Sequence, residues 1–241
     1  MRKATGIIPA RFQSSRFPGK PLAFILGKPM IQRVYDGARK AKFLERLIIA
    51  TDDDRIFDTA KKFGAEVVMT SSSHTSGTER AAEVAKKLDS DLVISIQGDE
   101  PLIEPDMIDG LVASLQDSSV PMASLMARVK DLALIKDPHL VKVVVDRDGW
   151  ALYFSRQPIP SAAMDFFFQH IGIYGYQREF LLKFARLGPA RMEKCERLEQ
   201  LRALENGYRI KMIEISHPTL SVDTPQDIIK VERFLRKEAR L

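Results

Sequence analysis

The chain has one cysteine, Cys195, in 241 residues. That scarcity excludes an intrachain disulfide framework and points to a reducing, cytoplasmic setting. Cys195 falls on an apolar helical face and reads as core, not as a nucleophile. There is no apolar stretch of ~18 residues of the kind a membrane span needs, and nothing that reads as a signal segment. A soluble, intracellular protein without a membrane partner is the expectation. No basic run interleaved with aromatics occurs, so nucleic acid is not expected as a partner. The net charge of +5, from 37 basic and 32 acidic residues, is mild and suits an anionic small substrate. Internal repeats, low-complexity tracts and flexible linkers are also missing. Two nucleotide motifs are absent as well: the Gly-x-x-x-x-Gly-Lys-Ser/Thr loop and the Gly-x-Gly-x-x-Gly fingerprint.

What is present suggests one α/β domain over residues 1–241, with 45% hydrophobic residues to fill its core. Apolar runs at Thr5–Pro9, Leu47–Thr51, Glu66–Met69, Leu92–Ile96 and Met122–Ala127 alternate with helix-period segments, the mark of parallel β-α units. Ile31, Val34, Tyr35 and Ala38 share one helical face, and Ile56, Phe57, Ala60 and Phe63 share another. The second half changes character. Val141–Asp146, Ala151–Ser155 and His170–Tyr176 are strand-like without long helices between them, and Asp146-Arg147-Asp148-Gly149 reads as a hairpin turn. A helix is expected at about Arg191–Glu205, stopped by Asn206-Gly207, then a strand Arg209–Ile215 and a helix opened by Thr224-Pro225. The expected fold is a three-layer α/β/α with a mostly parallel mixed sheet. An antiparallel element, about residues 136–190, is inserted in its second half.

The most informative segment follows the first strand: Pro9-Ala10-Arg11-Phe12-Gln13-Ser14-Ser15-Arg16-Phe17-Pro18-Gly19-Lys20-Pro21-Leu22. It carries Arg11, Arg16 and Lys20, two serines and a glycine, and no acid. A loop at the carboxyl end of a strand in an α/β sheet sits where such folds bind ligands. Arg forks onto phosphate oxygens and Lys acts as a point charge, so the set suits a triphosphate. A plain solvated basic loop is the alternative on composition alone.

Two aspartates stand at comparable places. Asp99, in Gln97-Gly98-Asp99-Glu100-Pro101, ends a buried strand, and Asp223, in Val222-Asp223-Thr224-Pro225, lies between a strand and a helix start. Each alone is compatible with helix capping or a helix-dipole acid. Together they are a hard carboxylate pair suited to Mg²⁺, which takes one or two carboxylates plus phosphate oxygens. His74-Thr75-Ser76-Gly77-Thr78-Glu79-Arg80 has capping-box spacing, and amides at a helix start also suit a phosphate or a base. Asp52, in Ala50-Thr51-Asp52, ends another strand and receives no role.

The pattern Arg-x-x-Ser-x-Arg-x-Pro-Gly-Lys-Pro-Leu at Arg11–Leu22 resembles the signature loop of the sugar-activating nucleotidyltransferases. The chain is most similar to their 3-deoxy-manno-octulosonate (Kdo) cytidylyltransferase branch, with the resemblance running from Ile7 to about Ile228. It implies a nucleotide-diphospho-sugar transferase-like fold, a homodimer and, as cofactor, Mg²⁺ held by Asp99 and Asp223. It implies CTP at Pro9, Ala10, Arg11, Ser14, Arg16, Lys20, His74, Ser76, Arg80, Gln97 and Asp99. For the sugar acid it implies Gln97 with Arg156, His170, Tyr174, Glu199 and Gln200. Taken singly, His170 and Tyr174 also read as ordinary sheet residues and Glu199 as a solvated face.

The implied reaction is attack of the Kdo C2 hydroxyl on the α-phosphorus of CTP, giving CMP-Kdo and pyrophosphate for lipopolysaccharide synthesis. Arg11, Lys20, Asp99 and Asp223 would carry it, with no His or Glu general base evident. Other readings are a cytidylyltransferase for sialic acid or 8-amino-Kdo, a terpenoid-precursor cytidylyltransferase, and a non-catalytic sugar-nucleotide binder. One departure stands out. The connection Ser161–Gln169 is short, and Asp165-Phe166-Phe167-Phe168 is apolar for an exposed loop, which suggests packing against a partner subunit.

Overall fold

The computed structural model describes residues 1–13, 17–161 and 165–238. Along the chain the strands are β1 (Ala4–Ala10), β2 (Phe24–Ile25), β3 (Lys28–Pro29), β4 (Arg46–Thr51), β5 (Glu66–Met69), β6 (Leu92–Ser95), β7 (Met122–Val129), β8 (Lys142–Val145), β9 (Ala151–Ser155), β10 (Phe167–Gln177) and β11 (Ile210–Ile215). The helices are α1 (Met30–Ala38), α2 (Asp54–Lys62), α3 (Gly77–Ala85), α4 (Pro105–Ser114), α5 (Arg178–Phe184), α6 (Arg191–Glu196), α7 (Leu201–Glu205) and α8 (Pro225–Glu238). They gather into two compact units, Arg2–Asp109 with Thr219–Leu241, and Gly110–Pro218.

In the first unit the strand order β6-β1-β4-β5 is parallel throughout. β1 is buried at every position, which is why it reads as an unbroken apolar run and not an alternating one. The chain moves outward from β1 to β4 and β5, then returns to β6 on the other side of β1. Right-handed crossovers then put α3 on the face opposite α1 and α2. The reversal of strand order between β1 and β6 is a topological switch point, where α/β sheets open a crevice at their carboxyl ends.

β2 and β3 form a hairpin absent from the sequence reading, because two-residue strands leave no periodic trace. Its turn, Leu26-Gly27, has positive φ at both residues (43° and 79°). That geometry favours Asn-Gly, and leucine pays a steric cost there. The turn is held from outside: Arg33 Nε and Nη2 donate to the Ile25 and Leu26 carbonyls (2.6 and 3.1 Å), and Glu232 accepts the Leu26 N–H at 2.9 Å. Leu26→Asn is expected to stabilise the protein by about 1 kcal/mol, a rise of roughly 2–4 °C in a thermal melt. An unchanged or lower midpoint would show that the leucine contacts outweigh the backbone strain.

In the second unit β11 runs parallel to β7, while β10 pairs antiparallel with β7 and β8, and β8 antiparallel with β9. The mixed, mostly parallel sheet and the antiparallel element are thus both present. Asp146 Oδ1 accepts the Asp148 and Trp150 N–H groups (3.0 and 2.8 Å) to make the β8–β9 turn anticipated from Asp146–Gly149. Tyr176, Phe180 and Phe184 stack in succession between β10 and α5.

Three expectations are corrected here. The helix expected over Arg191–Glu205 is two helices, because Arg197 takes a left-handed conformation (φ 56°) and ends α6. That break splits the apolar periodicity: Leu198 and Leu201 are buried, whereas Cys195 is exposed and not core. Phe166–Phe168 is not an exposed apolar connection. β10 begins at Phe167, which is 2% exposed and packs with Val129 and Ile135 of the same chain. Phe166 and Phe168 flank the Arg128 guanidinium at 4.1 and 5.7 Å. The positive charge of Arg128 on the ring faces explains why apolar side chains are stable at that edge.

Candidate active site

The carboxyl ends of β1 and β6 open onto a cavity of about 250 Å³ within the first unit. Of the residues expected around nucleotide and metal, it is lined by Pro9, Ala10, Arg11, Lys20, His74, Ser76, Arg80, Gln97, Asp99 and Asp223. Residues separated by more than two hundred positions therefore meet at one sheet edge. Ser14 and Arg16 lie outside the described residues. Gly98 also lines the cavity. A Cβ there would lie 3.2 Å from the Pro9 carbonyl oxygen, so any larger residue would push the two strand ends apart by a few tenths of an ångström.

Lys20 sits at the centre. Its ammonium donates to Asp99 Oδ2 (2.7 Å) and to the Val222 carbonyl (2.8 Å), and lies 3.7 Å from Asp223 Oδ1. The Val222 N–H in turn donates to the Asp99 carbonyl at 2.9 Å, which joins the segment before α8 to the end of β6. Asp227 shapes that segment. Its carboxylate accepts the Asp223 and Thr224 N–H groups and the Thr224 hydroxyl (3.2, 2.9 and 2.8 Å). Burial pushes the Asp227 carboxyl up, but the bonds from Lys230 and Thr224 outweigh it and hold it down at about 2. Asp227 was missed by sequence reading; its signal was a helix-start carboxylate three residues beyond Thr224.

Asp99 and Asp223 thus already face one cation. Hard carboxylate oxygens on either side of a positive charge are the donor set Mg²⁺ takes, with waters and phosphate oxygens completing its shell. Among the described residues no cluster of three or more His, Cys, Asp or Glu side chains is placed to hold a metal. A metal here therefore depends on ligands beyond the protein, as nucleotide phosphates provide. Glu100, just behind, is 6% exposed, and burial followed by the neighbouring Asp99 charge raises its carboxyl to about 8.

Another wall of the cavity is built on the start of α3. Ser76 Oγ accepts the Glu79 N–H (3.2 Å) and Glu79 accepts the Thr75 N–H (2.7 Å), the capping box read from the sequence. His74 Nε2 is held 2.6 Å from Glu83, which also accepts the Ser71 N–H at 2.9 Å. Arg80 is 2% exposed, and its guanidinium donates to Asp52 (2.9 Å), Thr70 and the Ser71 carbonyl. Asp52, given no role from sequence, is the counter-charge that makes burial of Arg80 tolerable.

The phosphate-type loop has its own anchor. Gly19 N–H donates to the Phe12 carbonyl at 2.8 Å, closing the loop, and Gly19 adopts φ 72° with no room for a Cβ beside the Phe12 ring. On the ring lies the Arg55 guanidinium, 3.2 Å from the centroid, itself paired with Asp53 at 2.7 Å. Phe12→Ala is expected to raise KM for the nucleotide about fivefold, a loss near 1 kcal/mol of stacking and packing, while Phe12→Tyr stays near the parent. Equal nucleotide KM values for Phe12→Ala and parent would remove the stack from the loop's support.

The second unit gathers Arg156, His170, Tyr174, Glu199 and Gln200 by different means. Glu196 on α6 accepts the Ser155 hydroxyl (2.8 Å) and the Arg156 N–H (3.1 Å), and Arg156 Nε donates to the Glu196 carbonyl (3.2 Å). Buried Lys142 donates to the carbonyls of Asp137, Leu140 and Arg156 (2.9, 2.7 and 2.5 Å). Neither Lys142 nor Glu196 was singled out from the sequence, where each looks like surface charge. His170 Nε2 lies 2.9 Å from Ser124 Oγ, and its Nδ1 lies 3.5 Å from Gln200 Nε2. Tyr174 donates to Gln200 Oε1 at 3.1 Å. Burial lowers the His170 imidazole to about 3, and burial with the nearby Glu199 charge pushes the Tyr174 phenol above its ordinary range. Glu199 and Gln200 sit in the turn between α6 and α7, with Glu199 3.6 Å from Arg202.

A nucleotide-sized cavity at a switch point, lined by cations and two carboxylates, defines a nucleotidyl-transfer class of site. Residues 5–213 match the family model described as cytidylyltransferase. The chain is 50% identical over 245 residues to the 3-deoxy-manno-octulosonate cytidylyltransferase of Syntrophotalea carbinolica (strain DSM 2380 / NBRC 103641 / GraBd1), covering 96% of this chain and 98% of that protein. It is 48% identical to the protein of the same name from Geobacter metallireducens (strain ATCC 53774 / DSM 7210 / GS-15), covering 98% of both. Among solved structures it is similar to a CMP:2-keto-3-deoxy-manno-octonic acid synthetase complexed with CTP: TM-score 0.93, 41% identity, 98% of this chain and 99% of that one. The chain belongs to the 3-deoxy-manno-octulosonate cytidylyltransferase family.

Proposed function

We infer that the chain transfers CMP from CTP to the C2 hydroxyl of 3-deoxy-D-manno-octulosonate, releasing pyrophosphate. The observation that carries this reading is the convergence of Arg11, Lys20, Asp99 and Asp223 on one cavity at the β1/β6 switch point. Arg11 and Lys20 neutralise charge that develops on the α-phosphate and the departing pyrophosphate. The cavity walls, from Pro9 and Ala10 to His74, Ser76 and Gln97, fix the nucleotide so that attack is a matter of positioning. Asp99 and Asp223 would hold Mg²⁺, which when bound would supply charge neutralisation to the triphosphate and lower the pKa of the attacking hydroxyl. Arg156 meets the sugar carboxylate, and His170, Tyr174, Glu199 and Gln200 form the rest of the sugar-acid site within the second unit. The protein works as a cytoplasmic homodimer and feeds an activated sugar acid to lipopolysaccharide assembly. No described helix is long and apolar enough to cross a membrane.

Pyrophosphate release tests the reading, with CTP, Mg²⁺ and a panel of Kdo, 8-amino-Kdo and sialic acid. Release with Kdo, at a kcat/KM well above that for the other two, is the expected result. Preference for 8-amino-Kdo or sialic acid would reassign the substrate, and no release with any acid would favour a binding protein.

A further inference from the structure

The hydrogen bonds around His170 have a direction that follows from counting protons. Ser124 Oγ lies 2.9 Å from the Ile173 carbonyl, 3.2 Å from the Ile171 carbonyl and 2.9 Å from His170 Nε2. A hydroxyl has one proton, and carbonyls only accept. The Ser124 proton therefore goes to the carbonyls, and its oxygen accepts from His170 Nε2–H. That leaves His170 Nδ1 as a bare acceptor facing Gln200, so the Gln200 amide must point its NH₂ at His170. Its carbonyl then receives the Tyr174 proton. Tyr174 has spent its one proton inward and has only lone pairs left for anything else.

Local structure explains why Ser124 holds this place. The β10–β7 register shifts between Ile171 and Tyr174, a bulge in β10, and the two carbonyls that Ser124 binds belong to it. Bulges re-aim side chains next to functional sites. The ring of His170 is fixed further by Phe154, edge-on at 4.9 Å. His170 is 8% exposed and Gln200 is 3% exposed, so water does not compete for these bonds. Burial that keeps the imidazole neutral fits the same proton count.

We propose that Ser124 is a positioning residue: it locks His170 as the Nε2–H tautomer, which sets the Gln200 amide and makes the Tyr174 oxygen a hydrogen-bond acceptor toward a hydroxyl of the acidic sugar. The inference rests on the reading that Tyr174 and Gln200 belong to the sugar-acid site. His170 then sets the Tyr174 oxygen through Gln200. With the opposite tautomer the amide turns over, and Tyr174 presents a proton in place of a lone pair.

Imidazole ¹⁵N NMR of the whole protein at neutral pH reads the tautomer of His170, one of four histidines. The parent is expected to show Nε2–H. Ser124→Ala is expected to move it to Nδ1–H and to raise KM for Kdo about tenfold with KM for CTP unchanged, and Ser124→Thr restores both. Nδ1–H or imidazolium in the parent overturns the proposal whether or not any variant folds. Unchanged Kdo KM in Ser124→Ala overturns it too, provided Gln200→Ala and Tyr174→Phe raise that KM. If those two variants also leave it unchanged, the sugar-site reading itself has failed.

Discussion

Asp99→Asn is expected to lower turnover on the order of 10³-fold while the fold survives. In the proposed mechanism several kcal/mol of transition-state charge stabilisation depend on the Asp99–Asp223 pair, and each 1.36 kcal/mol is a factor of ten. The substitution keeps the shape of the side chain and removes one charge. Lys20 retains the Val222 carbonyl at 2.8 Å and Asp223 at 3.7 Å, so the loop and the segment before α8 stay joined. Circular dichroism and the thermal midpoint should therefore change little. A second readout separates metal binding from catalysis: Mg²⁺ with CTP should raise the melting point of the parent and not that of Asp99→Asn. Activity within tenfold of the parent at saturating Mg²⁺, or an intact Mg²⁺-dependent shift, would remove Asp99 from the reaction.

The second large effect is on stability in mild acid. His170 is neutral in the folded protein down to about pH 3 because it is buried. In the unfolded chain it takes a proton near pH 6.5. Between those values the unfolded state binds the extra proton, so stability is present above about pH 6.5 and is lost as the pH falls. The slope approaches 1.4 kcal/mol per pH unit, or about 2 kcal/mol between pH 7 and pH 5. Denaturant unfolding of parent and His170→Asn at both pH values isolates it, because the other titrating groups are shared. The parent should lose about 2 kcal/mol more than the variant across that interval. Parallel losses would mean that the imidazole accepts a proton where it lies.

What could be read in advance has a common physical origin. β1, β4 and β6 are short runs buried at all or all but one of their positions, and burial on both faces favours apolar residues through most of their length, whereas β5 is only partly buried. The ends of those runs place Arg11, Asp52 and Asp99 at one edge of the sheet from the sequence alone. Ser76 and Glu79 announced the start of α3 because capping is a local interaction over three residues. Arg197 was not legible in this way. Left-handed backbone at an arginine leaves no mark in composition, so the periodic pattern reads as one helix with Cys195 inside. Phe166–Phe168 failed for a similar reason, since the partner that makes the segment a strand edge is Arg128, far away in sequence.

By itself, then, the sequence determined the kind of fold and the kind of chemistry. Buried strands, caps and a cationic loop are written in residue types and spacings a few positions long. Only the tertiary structure decided which groups share a proton or a charge. It set Lys20 between Asp99 and Asp223, buried Arg80 against Asp52, and turned His170 toward Ser124 and Gln200. Those pairings join residues distant along the chain, and their energies depend on distance, direction and exclusion of water, none of which a linear pattern encodes.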